Sequence, residues 1–369
     1  MEHNFADLFY ESTLASTAAR HDVARLLDGL PAGCAKTRLD ALARWRSDLS
    51  VDFISCLGGI PHQCPLNIIR SEPKPLLANA LDEVGYKGGI ANRKYTREYI
   101  IFENEAGLST PAYLLTPDGA DGSTPTIVAL AGHGFGVADI VGLRPDGSEQ
   151  APGESGYHKA FAVALAQRGF VVIAPELLGF GELRLARDIK PDNPGVSSCN
   201  AISTMLMMVG RTMAGARVNQ ARRCIDALAE LGYGAPPVAM GISGGGLVCA
   251  YFAALDERVR ACCVSGFANT FRGCFLAMHH CVDCYQPDLL RIAEMPDLLS
   301  LIAPRPMIWE AGESDPIFPI DAVMDAERIV RRVYDEYGRG GDFAVDRFPK
   351  DHQIHGVAAY DFLWKYATS

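Results

Sequence analysis

The fold of this chain can be inferred from one short segment, Pro236-Pro237-Val238-Ala239-Met240-Gly241-Ile242-Ser243-Gly244-Gly245-Gly246. An apolar run leads into Gly-x-Ser-x-Gly, and the following segment 247–255 is compatible with a helix. This order is the sequence form of a nucleophile elbow, in which a serine occupies a strained strand-to-helix turn. The glycines remove Cβ atoms that would collide with the strand or the helix. The turn also places Ser243 at a helix N-terminus, where free N–H groups and the dipole stabilise a developing negative charge.

The composition is that of a globular protein with one large domain and an appendage. The chain has 369 residues, of which 49% are hydrophobic and 21% charged. Its formal net charge of -10 argues against nucleic acid and anionic membranes as partners. The acidic N-terminus lacks the features of a secretory signal, and no apolar run reaches membrane-spanning length. Eleven cysteines lie mostly in apolar segments, which indicates reduced thiols, and we expect a cytoplasmic protein.

The sequence pattern changes at about residue 95. Residues 1–94 carry helical patterns, including 76–84, broken by proline and glycine, and we expect a helical N-terminal extension there. Residues 95–369 alternate between strand and helix patterns, which predicts an α/β catalytic domain with a mostly parallel eight-stranded sheet flanked by helices. The candidate strands are 97–102, 112–116, 126–131, 171–175, 238–241, 260–265, 306–310 and 344–348.

A serine nucleophile of this type needs an acid after a later strand. Asp315 lies a few residues beyond the candidate strand 306–310, in a loop held by prolines, where its carboxylate can face the site. Glu313 is the nearby rival. The order of Ser243 and the acidic loop along the chain favours Asp315.

The base must be a histidine, because imidazole can take the serine proton and return it to a leaving group near neutral pH. His352 lies nearest the end of the last candidate strand and is the predicted base. His355, three residues later, is the alternative base.

Oxyanion donors are the remaining requirement of this chemistry. The backbone N–H of Gly244, directly after the nucleophile, is the first predicted donor. The second should come from the glycine-rich loop 131–136 after the third candidate strand. We favour the His133 N–H for this role and keep Phe135 as the alternative.

Taken together, these motifs resemble the α/β-hydrolase superfamily, and more narrowly its dienelactone-hydrolase-like and acetyl-xylan-esterase-like bacterial serine esterases. The resemblance runs from about residue 95 to the end. It implies the α/β-hydrolase fold, a Ser243, Asp315 and His352 triad, and hydrolysis of a carboxylic ester without a cofactor. The segments that carry it are 129–136, 175–182, the elbow, 303–306, 315–319 and 352–356.

The segment between the sixth and seventh candidate strands, about 267–300, lies where this fold places a lid-like insertion. It contains His279-His280-Cys281-Val282-Asp283-Cys284, a C-x-x-C beside two histidines. No second ligand pair follows at the usual distance, so we expect no metal. The aromatic and histidine side chains of this segment are predicted to shape a substrate pocket.

We therefore predict a serine hydrolase that cleaves a small-molecule carboxylic ester with a small acyl group through an acyl-enzyme. A C–C bond hydrolase or lyase, or a peptidase of the same fold, is the alternative. A non-catalytic binding protein is the least favoured, because candidates for all three triad positions are present. The helical extension is a candidate homodimer interface.

Overall fold

The computed structural model describes residues 11–13, 17, 19–31, 33–76, 93–151, 153–190 and 192–369. Its strands are β1 (Ile69–Arg70), β2 (Lys74–Leu76), β3 (Tyr95–Glu105), β4 (Leu108–Pro117), β5 (Thr126–Leu130), β6 (Val171–Pro175), β7 (Val238–Ile242), β8 (Cys262–Ser265), β9 (Met307–Gly312) and β10 (Phe343–Phe348). Its α-helices are α1 (Val23–Asp28), α2 (Ala35–Cys56), α3 (Ala138–Val141), α4 (Phe161–Gln167), α5 (Cys199–Met208), α6 (Met213–Glu230), α7 (Gly244–Leu255), α8 (Leu289–Ile292), α9 (Met295–Ser300), α10 (Ile320–Glu336) and α11 (Ala359–Thr368). Short 3-10 helices lie at Gly156–His158, Gly181–Leu183, Ala186–Asp188, Val282–Cys284 and Gly340–Asp342.

The strands form one ten-stranded sheet in the order β1-β3-β4-β6-β5-β7-β8-β9-β10, with β2 also paired to β3. The six adjacent strands β6, β5, β7, β8, β9 and β10 run parallel to one another. The pairs made by β1, β2, β3 and β4 are antiparallel. The predicted mostly parallel sheet flanked by helices is confirmed.

The predicted count of eight strands is wrong, because β1 and β2 add two short strands from the N-terminal extension. Both pair antiparallel with β3 at the edge of the sheet. They are two and three residues long, mostly exposed, and β2 contains Pro75. A proline is tolerated on such an edge, where its missing N–H breaks no ladder. Strands of two and three residues are too short to carry a detectable periodic pattern.

The central parallel strands are buried on both faces. All five residues of β5 are buried, and alternate residues join opposite cores. Val128 and Leu130 pack with α6 and α7 on one face. Ile127 and Ala129 pack with α4 and α11 on the other. This period of two explains why the strand reads as a continuous apolar run.

The N-terminal extension packs directly on the catalytic region. Phe53 of α2 is fully buried and its ring meets the ring of Tyr251, on α7, edge to face at a centroid distance of 4.8 Å. The N–H of Val23 donates to Asp297 Oδ1 at 2.8 Å. Of the helix expected over 76–84, residue 76 ends β2 and the other positions lie outside the described residues.

The topology brings the carboxyl ends of the parallel strands to one edge of the sheet. Ser243 follows β7, Gly266 follows β8, Asp315 follows β9 and His352 follows β10. Ligands of open α/β sheets bind beside this edge. Separately, within the described ranges we find no helix that is both long enough and apolar enough to cross a membrane.

Candidate active site

Ser243 occupies the turn between β7 and α7 with a backbone conformation that is rare for a side-chain-bearing residue. Its φ is 57° and its ψ is -122°. Its N–H donates to the carbonyl of Ser265 at 3.0 Å, which ties the turn to β8. A Cβ at Gly241 would lie 2.2 Å from the carbonyl oxygen of Gly245. The glycines thus allow the close approach of strand and helix that holds the serine outward.

His352 and Asp315, the predicted base and acid, are hydrogen-bonded to each other. His352 Nδ1 lies 2.6 Å from Asp315 Oδ2. The other oxygen, Oδ1, accepts the N–H groups of Ile317 at 2.9 Å and Phe318 at 3.0 Å. Because both oxygens are engaged, the buried carboxylate is held in one orientation toward the imidazole.

The His352 ring sits against a glycine that could carry no larger side chain. A Cβ at Gly266, whose φ is +51°, would lie 2.8 Å from His352 Cε1. Phe318 stacks on the opposite side, with ring centroids 5.6 Å apart and planes at 17°. His352 Nε2 is buried and has no hydrogen-bond partner among the described residues. This nitrogen is therefore available to a proton from a group in the pocket.

The two rival residues lie elsewhere. Glu313 is exposed to solvent rather than turned into the pocket. His355 Nδ1 lies 2.8 Å from Asp346 Oδ2, and its ring stacks on Phe348 at 4.5 Å. The structure thus brings Ser243 and His352 into one cavity and leaves the alternative base outside its lining.

The two candidate oxyanion donors in the glycine-rich loop after β5 differ in whether their N–H groups are already hydrogen-bonded. The Phe135 N–H already donates to Asp139 Oδ2 at 2.7 Å, and the Gly132 N–H donates to His158 Nε2 at 3.1 Å. Between them, the His133 N–H has no acceptor within the part of the chain that the structure describes. Gly244 is the first residue of α7, so its N–H has no acceptor within the helix.

His158 keeps the oxyanion loop in place as a neutral imidazole. Burial lowers the pKa of His158 to about 3, so its Nε2 can accept the Gly132 N–H across the neutral pH range. Asp139, whose Oδ2 lies 3.5 Å from His158 Nδ1, is also buried, and burial raises its pKa to about 6. His158 and Asp139 accept the N–H groups of Gly132 and Phe135, and the His133 N–H between these positions is left without an acceptor among the described residues.

Tyr157 connects the loop to the nucleophile. Its hydroxyl donates to the carbonyl of His133 at 2.5 Å and also forms a hydrogen bond with the Ser243 side chain. A Cβ at Gly132 would lie 2.4 Å from this hydroxyl, so the glycine makes room for it. Burial raises the pKa of Tyr157, which keeps the phenol protonated.

A cavity of about 300 Å³ opens at Ser243. The segment expected to be lid-like forms one wall of it, and aromatic side chains form another. The lining residues are His133, Tyr157, Ser243, Gly244, Phe267, His279, His280, Cys281, Cys284, Ile317, Phe318 and His352.

Comparisons with known proteins bear on the fold that holds this site. No family model matches the chain. "Putative hydrolase YtaP" of Bacillus subtilis (strain 168) is 24% identical over 279 residues, which are 73% of this chain and 87% of that protein. Among solved structures, a "putative acetyl xylan esterase (BF1801)" from Bacteroides fragilis NCTC 9343 superposes with a TM-score of 0.70 at 14% identity. That similarity covers 92% of this chain and 81% of the other.

A glucuronoyl esterase from Solibacter usitatus has a TM-score of 0.61 at 15% identity and covers 96% of this chain and 98% of the other. These similarities, together with the sheet order and the serine turn, decide the fold. The protein has the α/β-hydrolase fold. The order of Ser243, Asp315 and His352 along the chain is the one in which that fold presents its nucleophile, acid and base.

Some residues of this α/β-hydrolase site were missed by the sequence reading. Tyr157 and His158 lie in an irregular segment before α4, and no motif marks them. Gly266 offered a weak signal, since it directly follows a buried strand. The contact of each with the site depends on tertiary packing, which spacing along the chain does not reveal.

Proposed function

We propose that this protein is a carboxylic ester hydrolase that acts through an acyl-enzyme on Ser243. One observation supports the proposal most strongly. Ser243, in its strained turn, and the imidazole of His352 line the same cavity, and His352 Nδ1 is hydrogen-bonded to the buried carboxylate of Asp315. A resting structural serine has no need of either feature.

The reaction begins with attack of Ser243 Oγ on the ester carbonyl carbon. His352 Nε2 takes the hydroxyl proton, and Asp315 accepts the hydrogen bond from Nδ1–H and stabilises the imidazolium. The tetrahedral intermediate then collapses, the C–O bond to the alcohol breaks, and His352 returns the proton to the leaving oxygen. In the second half of the cycle the same imidazole deprotonates a water molecule, whose oxygen attacks the acyl carbon. The bond from this carbon to Ser243 Oγ then breaks, the proton passes from His352 to Oγ, and the acid is released.

The N–H groups of Gly244 and His133 are proposed to bind the oxyanion. Both flank the nucleophile and both are left without a protein acceptor in the described structure. Each donor of this kind contributes about 3 kcal/mol to transition-state stabilisation in comparable sites. Tyr157 takes no part in the proposed proton transfer. Its hydroxyl donates a hydrogen bond to the His133 carbonyl and so orients the following N–H groups of the loop.

The size and lining of the cavity favour a small acyl group. About 300 Å³ is at the low end of ligand pockets, and Phe267, Ile317 and Phe318 give it apolar walls. The names of the similar structures also point to esters, although at these identities the similarity shows the fold alone. A small-molecule ester is accordingly the proposed substrate, and the proposed chemistry requires no cofactor.

The test is steady-state hydrolysis of p-nitrophenyl esters of increasing acyl length by wild type and two histidine variants. We expect the highest kcat/KM for acetate and a loss of about 10³-fold or more in His352→Ala. His355→Ala is the matched control and should retain most of the activity, because His355 is bound to Asp346 outside the cavity. Absence of ester turnover by the folded wild type, with activity on a diketone, would replace the proposal with C–C bond hydrolysis.

A further inference from the structure

Four side chains with metal-binding atoms converge beside the active-site cavity. They are His133 of the oxyanion loop, Cys199 at the start of α5, and Cys281 and Asp283 of the lid-like segment. One nitrogen, two sulfur and one carboxylate oxygen atoms all lie within 4.8 Å of one another. Three segments far apart in sequence supply them, so the cluster is a product of the tertiary fold.

The atoms face one another without protein hydrogen bonds that satisfy them all. His133 Nε2 is buried and lies 3.2 Å from Asp283 Oδ2, yet within the described residues it makes no hydrogen bond of acceptable geometry. Cys199 and Asp283 are buried as well, and Cys281 is half-buried. A buried ring nitrogen without a hydrogen-bond partner, close to a carboxylate and two thiols, is an arrangement that a bound cation would satisfy.

We infer that His133, Cys199, Cys281 and Asp283 form a four-coordinate site for a divalent metal of the zinc class. Sulfur and imidazole ligands favour zinc and disfavour Mg²⁺ and Ca²⁺, which take oxygen ligands. With Zn–ligand bonds of about 2.0 to 2.3 Å, a tetrahedral site needs the widest separation in the cluster to close by about 1 Å. The proposed site would therefore form through small rotations of these side chains.

Arg217 is not one of the four proposed ligands, but its guanidinium contacts two of them. Its Nη1 donates to Asp283 Oδ2 at 2.5 Å and its Nη2 lies 3.1 Å from Cys199 Sγ. The guanidinium is itself fixed by bonds to the Leu178 carbonyl at 2.9 and 2.7 Å. Two thiolates and a carboxylate carry three negative charges, which a divalent ion and this guanidinium balance. Hydrogen bonds to ligating atoms are the usual way in which surrounding residues orient a metal site.

The assignment separates the two cysteines of the C-x-x-C motif. Cys281 belongs to the cluster, whereas the Cys284 thiol lies 3.4 Å from Asp283 Oδ1, the carboxylate oxygen that does not bind Arg217. The expectation that the chain binds no metal rested on the motif 279–284 alone. His133 and Cys199 are 148 and 82 residues from Cys281 in sequence, counting from the residue numbers. Spacing along the chain therefore gave no sign of a complete ligand set.

A metal here would join the lid-like segment and α5 to the oxyanion loop. His133 contributes its ring to the cluster, and its backbone N–H is a proposed oxyanion donor. Its Nδ1 lies on the side of Gly244, since a Cβ on that glycine would be 3.1 Å from it. Binding at Nε2 would thus fix the ring while leaving Nδ1 turned toward the elbow.

The experiment is titration of the reduced, chelator-stripped full chain with Co²⁺ as a spectroscopic probe, followed by displacement with Zn²⁺. We expect one equivalent to bind, with thiolate-to-cobalt charge-transfer absorption and the intense visible bands of tetrahedral Co²⁺. Cys281→Ser and Cys199→Ser should each lose the tightly bound equivalent or about half of the charge-transfer absorption. Cys284→Ser, matched in residue type and segment, should bind as wild type does.

Substoichiometric Co²⁺ binding, octahedral spectra without thiolate bands, or unchanged binding in both Cys281→Ser and Cys199→Ser would overturn the assignment. Equal losses in Cys284→Ser would also overturn it, by assigning the metal to the C-x-x-C pair. The Ser243→Ala variant should bind Co²⁺ fully. Co²⁺ titration therefore tests the metal site, and ester hydrolysis separately tests the proposed activity.

Discussion

At the scale of single residues, the candidate site depends on its glycines as much as on its proposed catalytic residues. Gly266 and Gly132 leave the space that the His352 ring and the Tyr157 hydroxyl occupy. Ser243 itself holds a positive φ that few residues with a Cβ adopt. Backbone strain at the nucleophile is maintained by the bonds of the surrounding strands, which is how a fold sustains a reactive conformation.

Gly266→Ala should lower kcat strongly while the protein stays folded. The new Cβ would lie 2.8 Å from His352 Cε1 and would displace the imidazole from the nucleophile. A displacement of about 1 Å at a catalytic group costs about 10²-fold in rate. The measurement is kcat and KM for a p-nitrophenyl ester, with circular dichroism to check the fold. Gly341→Ala, where a Cβ meets open space, is the control. Wild-type kcat in Gly266→Ala would show that the ring position is not critical.

At the scale of elements, the strands at the centre of the sheet were the easiest to predict. All residues of β5, β6 and β7 are buried. A strand buried on both faces of the sheet is a nearly continuous apolar run, which is easy to recognise in the sequence. β1 and β2 could not be predicted from their own residues, because their strand conformation depends on pairing with β3 at the edge of the sheet. The helix after Ser243 was predictable from the elbow, since the motif specifies a strand before it and a helix after it.

Phe53→Ala should destabilise the whole chain, not the N-terminal helices alone. Phe53 is fully buried on α2 and packs on Tyr251 of the helix that follows the nucleophile. Truncating a buried phenylalanine costs about 3–5 kcal/mol in the free energy of unfolding. Denaturant unfolding checks this, with Val51→Ala on the exposed side of the same helix as control. An early, separate transition of the extension would contradict its integration into the core.

At the scale of the whole molecule, the sequence predicted the architecture and the proximity of two of the three proposed catalytic residues, Asp315 and His352. It named Ser243, Asp315 and His352 because each follows a strand at a recognisable offset. It did not find the arrangement of Tyr157, His158 and the four-residue cluster. Those contacts join segments that are distant in sequence, and only the folded packing brings them together.

The contribution of Glu176 to global stability should fall as the pH rises from about 4.5 toward 8. Burial raises the pKa of Glu176 from 4.5 to about 8, so the folded state keeps a proton that the unfolded chain releases. The stabilising contribution is complete below pH 4.5, the ordinary pKa of the group, and is lost as the pH passes the folded value. One such proton gives a slope of at most about 1.4 kcal/mol per pH unit.

The measurement is the free energy of unfolding against pH for wild type and Glu176→Gln, which removes the titration. The variant should have a flatter curve over this range. Glu230→Gln, at an exposed position of α6, is the control and should keep the wild-type slope. Parallel curves for wild type and Glu176→Gln would contradict a raised pKa for this carboxyl group.

The most direct test of the central claim is a search for the acyl-enzyme itself. Wild type is mixed rapidly with p-nitrophenyl acetate, quenched in acid and analysed by intact mass and peptide mapping. We expect a p-nitrophenol burst and one acetyl group on Ser243, both absent from Ser243→Ala, because Ser243 occupies the strained turn between β7 and α7. Acetyl on another residue, or an equal burst from Ser243→Ala, would contradict the proposed mechanism.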